Sequence, residues 1–378
     1  MIYLDWAASA IPYADEIETA YREATAVFAN PSAQHGFGKE ARNMLEKARS
    51  RCAAVLGISP ETLYFTSGAS ESNSLVLLSL LTRPAAGSLV ISNIEHPSVR
   101  EQAAVLEHCG WTVLTAPSDK SGCITPDAVL RTLRKDTVLV AIMGVNNEIG
   151  SIQPIQAISE LLADKPTISF HVDAVQALAK IPTEKYLTDR VDFATFSSHK
   201  FHGVRGVGFV YIKSGKKITP LLTGGGQERD YRSTTENVAG IAATAKALRL
   251  AMEKLDLFTA KTAQMKAVIR QALLEYPDIF VFSGEEDFAP HILTFGIKGV
   301  RGEVIVHAFE DYDIFISTTS ACSSKAGKPA GTLIAMGVDK DKAQSAVRLS
   351  LDLENDMSQV EQFLTKLKLI YNQTRKVR

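Results

Sequence analysis

Cysteine is scarce in this 378-residue chain: Cys52, Cys109, Cys123 and Cys322 are the whole set, with no C-x-x-C pair and no zinc spacing. That argues against a disulfide framework or a structural zinc site and fits a reducing compartment. Long apolar runs are missing as well. No stretch reaches the roughly 18 residues that span a bilayer, and no signal-like segment precedes the first strand, so a soluble cytoplasmic protein is expected. Excess charge of either sign is absent, since 41 Lys and Arg against 42 Asp and Glu leave a formal net charge of -1. Bulk electrostatics therefore give no reason to expect nucleic acid or a membrane as partner. The basic end, Thr374–Arg378, reads as a solvated tail. Neither the P-loop pattern nor G-x-G-x-x-G occurs, which removes the usual nucleotide fingerprints.

What the chain does contain is a regular alternation of short apolar runs and helical patterns. A strand is expected at 1–4, a helix from about Ala14, an irregular loop over Asn30–Gly38 and an amphipathic helix over Lys39–Leu56 closed by Gly57. Strand candidates follow at 62–65, 88–92, 111–115, 137–142, 167–172, 191–196 and 206–212. Helical stretches separate several of them, at 74–81, 98–109, 126–134 and 154–163. This predicts an α/β domain with a mainly parallel sheet covered on both faces, whose ligands collect beyond the carboxyl ends of the strands. One long helical reading over Asn237–Glu275 leads to a second region with strands near 292–295 and 314–316 and helices near 302–310 and 355–373. The expected division is a large domain over 15–250 and a smaller α+β domain from 1–14 and 251–378.

The chemistry-bearing residues fall at the ends of these strands. Lys200 lies in Ser197-Ser-His-Lys200, 27 positions after Asp173 of His171-Val-Asp-Ala174. A lysine after an apolar strand can hold an aldehyde cofactor covalently, while Ser197 and His199 reach its phosphate. A carboxylate such as Asp173 keeps a pyridine nitrogen protonated, which lets the ring accept electrons. The turn Ser67-Gly-Ala-Ser-Glu71 adds an anion cup: small residues permit close approach, Ser70 adds a hydroxyl, and a helix start presents free N–H groups. Taken singly, each residue has a plain reading: Asp173 as a strand-end cap, Ser70 or Ser67 as a helix cap, Lys200 as a solvated lysine. His96 fits stacking on the pyridine face, or a structural histidine before Pro97. Asn147, and Gln176 if a helix starts there, fit donors to the ring's phenolic oxygen. His202 reads equally as support for the site or as polar surface. Cys52 and Cys109 read as core residues. Cys322, in Ser317-Thr-Thr-Ser-Ala-Cys-Ser-Ser324, is instead surrounded by small and hydroxyl residues.

The ordered set resembles a cysteine desulfurase of the NifS/IscS-like group, within the class V aminotransferase-related, fold-type I pyridoxal-phosphate enzymes. The matching segments run from Tyr3-Leu-Asp5 and Asn30-Pro-Ser32 with His35, through the Gly-Ala-Ser-Glu turn, Glu95-His96 and Val145-Asn-Asn-Glu-Ile-Gly150. They continue through His171–Ala174 with Gln176, Ser197–Lys200, Gly224–Arg229, Arg232–Thr235 and Ser320-Ala-Cys322, to Val347-Arg-Leu-Ser350. The resemblance implies a mixed, mainly parallel sheet flanked by helices and a smaller α+β domain. It implies Lys200 as the cofactor-linked lysine, Asp173 on the pyridine nitrogen and His96 over the ring. Ser70, Ser197 and His199 would hold the phosphate, and Asn147 and Gln176 would contact the cofactor or substrate region. Thr235 would reach the phosphate of an opposing subunit, hence a homodimer, and Arg348 would bind the substrate carboxylate.

By the same resemblance Cys322 takes sulfur from L-cysteine as a persulfide, releases alanine, and passes the sulfur to an iron–sulfur scaffold or a tRNA sulfurtransferase. The Ser-Ala-Cys context matches the longer-loop group I enzymes, and the Arg-x-Gly-His-His-Cys pattern of the other group is absent. A selenocysteine or cysteine-sulfinate lyase is the nearest alternative, and a non-catalytic sulfur-acceptor binding protein a more distant one. The chain departs from the family pattern at Trp6, Ser70, Gln227 and Thr234, none of which removes an expected reacting group.

Overall fold

A computed structural model of the chain describes residues 1–319 and 331–376. The first part runs β1 (Ile2–Tyr3), α1 (Ala14–Thr25), α2 (Gly36–Leu56), β2 (Leu63–Thr66), α3 (Ala69–Leu78) and β3 (Ser88–Ser92). It continues with α4 (Pro97–His108), β4 (Thr112–Ala116), α5 (Pro126–Thr132), β5 (Thr137–Ala141), α6 (Ile155–Leu161), β6 (Ser169–Asp173), β7 (Phe193–Ser197) and β8 (Gly208–Ile212). The remainder comprises α7 (Val238–Glu253), α8 (Leu255–Leu274), β9 (Ile279–Val281), β10 (Ile292–Ile297), α9 (Gly302–Glu310), β11 (Ile314–Phe315) and β12 (Ser317–Thr318). It closes with α10 (Gly331–Ala335), α11 (Lys340–Gln344), β13 (Ala346–Ser350) and α12 (Met357–Lys376).

Seven strands form one sheet in the order β2-β8-β7-β6-β5-β3-β4. The pairs among β4, β3, β5, β6 and β7 are parallel, whereas β8 runs antiparallel to both β7 and β2. Alternate residues of a strand enter different cores: Val140 packs with Phe170 and Phe196, while its neighbours Leu139 and Ala141 pack with Leu89 and Val210. The sheet is thus covered on both faces, as apolar runs without polar alternation require. A separate antiparallel sheet, β12-β13-β10-β9, shares a core with Ile2 and Leu4 from the start of the chain and with α8, α9 and α12.

Several expectations are corrected locally. The segment Asn30–Gly38 is not loop throughout, because α2 starts at Gly36, where His35 Nδ1 accepts from the Gly38 N–H at 3.3 Å and caps the helix. The single long helix over Asn237–Glu275 is two, with Lys254 at φ -100°, ψ 4° between them. Cys109 is not a core residue; it caps the end of α4 and is exposed, whereas Cys52 is fully buried. His202 is structural: it is buried, stacks on Tyr13 at 4.2 Å and bonds Asp352 and the Ile11 carbonyl.

Candidate active site

Because β3, β5, β6 and β7 are parallel, their carboxyl ends open on one edge of the sheet, and β2 ends there too. Gly208, the first residue of β8, is paired with both Thr66 and Ser197. A Cβ at Gly208 would stand 2.6 Å from Gly68 Cα, so only glycine lets the Ser67–Ser70 turn lie against the end of β7. The result is a cavity of about 630 Å³ lined, among others, by Ser70, His96, Asp173, Ser197, His199 and Lys200. Asn147, Gln176 and Arg348 also line it. Nine of the eleven residues singled out from the sequence therefore meet in one place. Thr235 does not: it is exposed and lies outside this cavity. Cys322 lies outside the described residues.

Lys200 Nζ donates to the carbonyls of Ala7 and Ala8 at 2.7 and 2.8 Å. The amino-terminal segment thus holds the ammonium inside the cavity, a role nothing in the sequence assigned to Ala7 or Ala8. Asp173, at the end of β6, accepts from the Val175 N–H at 3.1 Å and from Asn73 Nδ2 at 2.8 Å. Gln176 is not at a helix start, since the residues after Ala174 form successive turns, and its Nε2 donates to the Ala7 carbonyl at 2.9 Å. Asn147 gives its carbonyl to Arg348 Nη1 at 2.7 Å.

The anion cup is built from α3. Ala69, Ser70 and Glu71 occupy its first turn, where N–H groups have no partner inside the helix. Ser197 Oγ lies 3.9 Å from where a Cβ on Gly68 would stand, and His199 lines the same cavity. Burial, together with the nearby charges of Lys200 and Arg205, pushes His199 down to about 4. His96 caps α4 through Nδ1, which accepts from the Ser98 N–H at 3.1 Å. Burial lowers its pKa below the ordinary imidazole value against the opposing pull of Asp173.

A second tier of residues was given no role by the sequence. Asn73 is one polar position at the start of an apolar helix, yet it is fully buried and bonded to Asp173, Ser98, Thr195 and His171. Glu95 is buried with Oε1 accepting from Ser92 Oγ and the Met143 N–H, and burial pushes it up to about 8. Glu228 is clamped by two bonds from Arg49, at 2.7 and 2.8 Å, and accepts from the Phe65 N–H. This holds Glu228, Arg229 and Asp230 at positive φ, in the segment that leads to Thr235. Within it, Arg232 bonds both Glu71 and Thr234, so the departure at Thr234 supplies a hydroxyl that ties the turn.

A family model described as Aminotransferase class-V matches residues 2–363. This chain belongs to that family. It is 45% identical over 384 aligned positions to the NifS/IcsS protein homolog of Lactobacillus delbrueckii subsp. bulgaricus, across 100% of this chain and 99% of the relative. The cysteine desulfurase IscS of Dictyoglomus turgidum is 36% identical, covering 98% of this chain and 96% of its own. A solved structure described as a NifS-like protein superposes with a TM-score of 0.91 at 34% identity, over 98% of this chain and 99% of that one. The chain is accordingly a NifS/IscS-like class V enzyme of fold type I, and its cofactor is pyridoxal phosphate. The donor set fits that group: a primary amine, a strand-end carboxylate and an anion cup with two hydroxyls share one cavity.

Proposed function

We propose that this protein is a cysteine desulfurase that converts L-cysteine to L-alanine and moves the sulfur to Cys322 as a persulfide. The observation that carries the reading is the convergence of Lys200, Asp173 and the α3 anion cup with Arg348 in one cavity, in a chain whose relatives include one named cysteine desulfurase. Bound pyridoxal phosphate supplies the electron sink for charge developing beside the substrate nitrogen.

The chain's own residues do the rest. Asp173 would pair with the pyridine nitrogen, and Ser70, Ser197, His199 and the first turn of α3 would hold the phosphate. Lys200, held at the Ala7 and Ala8 carbonyls, would hold the cofactor through its amine and would move the substrate's proton. Arg348 takes the carboxylate. The Cys322 thiolate attacks the substrate sulfur: an S–S bond forms, the C–S bond breaks, and its electron pair stays on carbon. Protonation of that carbon completes alanine.

Thr235 stands exposed, away from its own chain's cavity. That placement suits contact with the phosphate held by a second copy, so the working form is a homodimer. The persulfide is passed to an acceptor for iron–sulfur assembly or tRNA thiolation, in the cytoplasm. Among the described residues no helix is long and apolar enough to cross a membrane.

The test is to supply L-cysteine under reducing conditions and measure alanine and sulfide for the wild type and Cys322→Ser. Equal amounts of both, lost in the variant while cofactor absorbance stays, are expected. No turnover by cofactor-loaded wild type would overturn the reading.

A further inference from the structure

Asn73 stands at the centre of a hydrogen-bond chain that joins Asp173 to His96. Its Nδ2 donates to Asp173 Oδ2 and to Ser98 Oγ, each at 2.8 Å. Its Oδ1 accepts from Thr195 Oγ1 at 2.8 Å and faces His171 Nε2 at 2.9 Å. Ser98 Oγ in turn lies 2.8 Å from His96 Nδ1, the nitrogen that also accepts from the Ser98 backbone N–H at 3.1 Å.

The direction of every hydrogen in this chain follows from its two ends. An ionised carboxylate only accepts, so Asp173 requires the NH₂ end of Asn73. The amide oxygen then faces Thr195 and His171, both of which must donate. That places the His171 proton on Nε2, and its Nδ1 is left buried without a partner. On the other branch Ser98 Oγ accepts from Asn73, which leaves its one hydrogen for His96 Nδ1. That nitrogen therefore meets two donors, one of them a backbone N–H that cannot reverse.

We propose that Asn73 and Ser98 are positioning residues that fix His96 as the Nε2–H tautomer, so that Nε2 meets the substrate as a hydrogen-bond donor and offers no lone pair as a base. Its Nδ1 lone pair is taken up by Ser98, while Nε2 has no hydrogen bond among the described residues. The charged groups that act on the ring are Asp173 at the end of β6, Lys200 beyond β7 and Arg100 on α4. Burial, with Lys200 and Arg100, lowers the ring's pKa against the opposing pull of Asp173. The proposal rests on the desulfurase reading only for which substrate atom the Nε2–H meets.

The test is two-bond nitrogen–proton NMR of the holoenzyme carrying nitrogen-15 histidine, with His96→Gln assigning its signal among the eight histidines. A pyrrole-type Nε2 and a pyridine-type Nδ1 are expected at neutral pH. Ser98→Ala removes one donor to Nδ1 and is expected to raise the His96 midpoint by roughly half to one unit. Ser98→Thr keeps the hydroxyl and is expected to restore it, whereas a serine that only fills space would leave the midpoint unmoved. An Nδ1–H signal in the wild type, or an unmoved midpoint in Ser98→Ala, overturns the assignment. Neither readout needs turnover, so failure of the desulfurase reading would show separately in alanine release.

Discussion

Arg348 on β13 donates from Nη2 to Asp5 Oδ1 at 2.8 Å, which fastens the cavity's guanidinium to the amino-terminal segment. The same segment gives the Ala7 carbonyl to Lys200 and to Gln176. A few residues after β1 therefore set the position of the lysine and of the guanidinium together.

Removing that guanidinium tests its place in substrate binding. Arg348→Ala loses charge-assisted hydrogen bonds to a carboxylate, and kcat/KM for L-cysteine is expected to fall roughly ten- to a hundredfold. Steady-state alanine release measures it, and cofactor absorbance is expected to be unchanged. An unaltered KM would remove Arg348 from the substrate site.

Asp352 is buried between Lys180 and His202, each at 3.1 Å. Burial works against its charge, but Lys180 and His202 outweigh it and hold the carboxyl well below the usual range. Its contribution to stability is therefore complete above the unfolded value of 3.8 and is lost as pH falls below it. Asp352→Asn leaves Lys180 buried without its counter-charge and is expected to cost about 3 kcal/mol at neutral pH. Urea unfolding of both proteins measures the difference, which should shrink in acid.

Glu95 has the opposite sign. Its carboxyl is raised from 4.5 to about 8 by burial, so the folded state holds a proton that the unfolded state has lost. Stability from this group is full below pH 4.5 and declines as pH rises toward 8. Glu95→Gln keeps the Oε1 acceptor used by Ser92 and Met143 and removes that dependence. Between the unfolded value of 4.5 and about 8 the wild type should lose stability on the order of a few kcal/mol relative to the variant, of which about 1 kcal/mol falls above neutral pH. Equal slopes in the two proteins would show that Glu95 is ionised in the fold.

The fold was legible where the chain repeats one local rule. The apolar strands expected at 88–92 and 137–142 are found at 88–92 and 137–141, because a strand covered on both faces has no polar alternation to confuse its limits. Boundaries failed where a side chain or one backbone turn decides them: His35 starts α2 three residues before the amphipathic pattern, and Lys254 breaks a helix that periodicity carries through. Cys109 shows the same limit, since a helical pattern does not say whether a residue at the helix end faces core or solvent.

By itself the sequence picked out most of the residues that meet in the cavity. Lys200, Asp173, Ser197 and His199 are recognisable because each follows an apolar strand, and a strand's end is a position that local chemistry can mark. Only the tertiary structure decided what holds them. Asn73 meets partners 25, 98, 100 and 122 positions away, and Lys200 meets carbonyls 193 and 192 positions away. Such contacts exist only once the parallel strands have brought their carboxyl ends to one edge. A backbone carbonyl or a buried amide has no residue type that announces its role in advance.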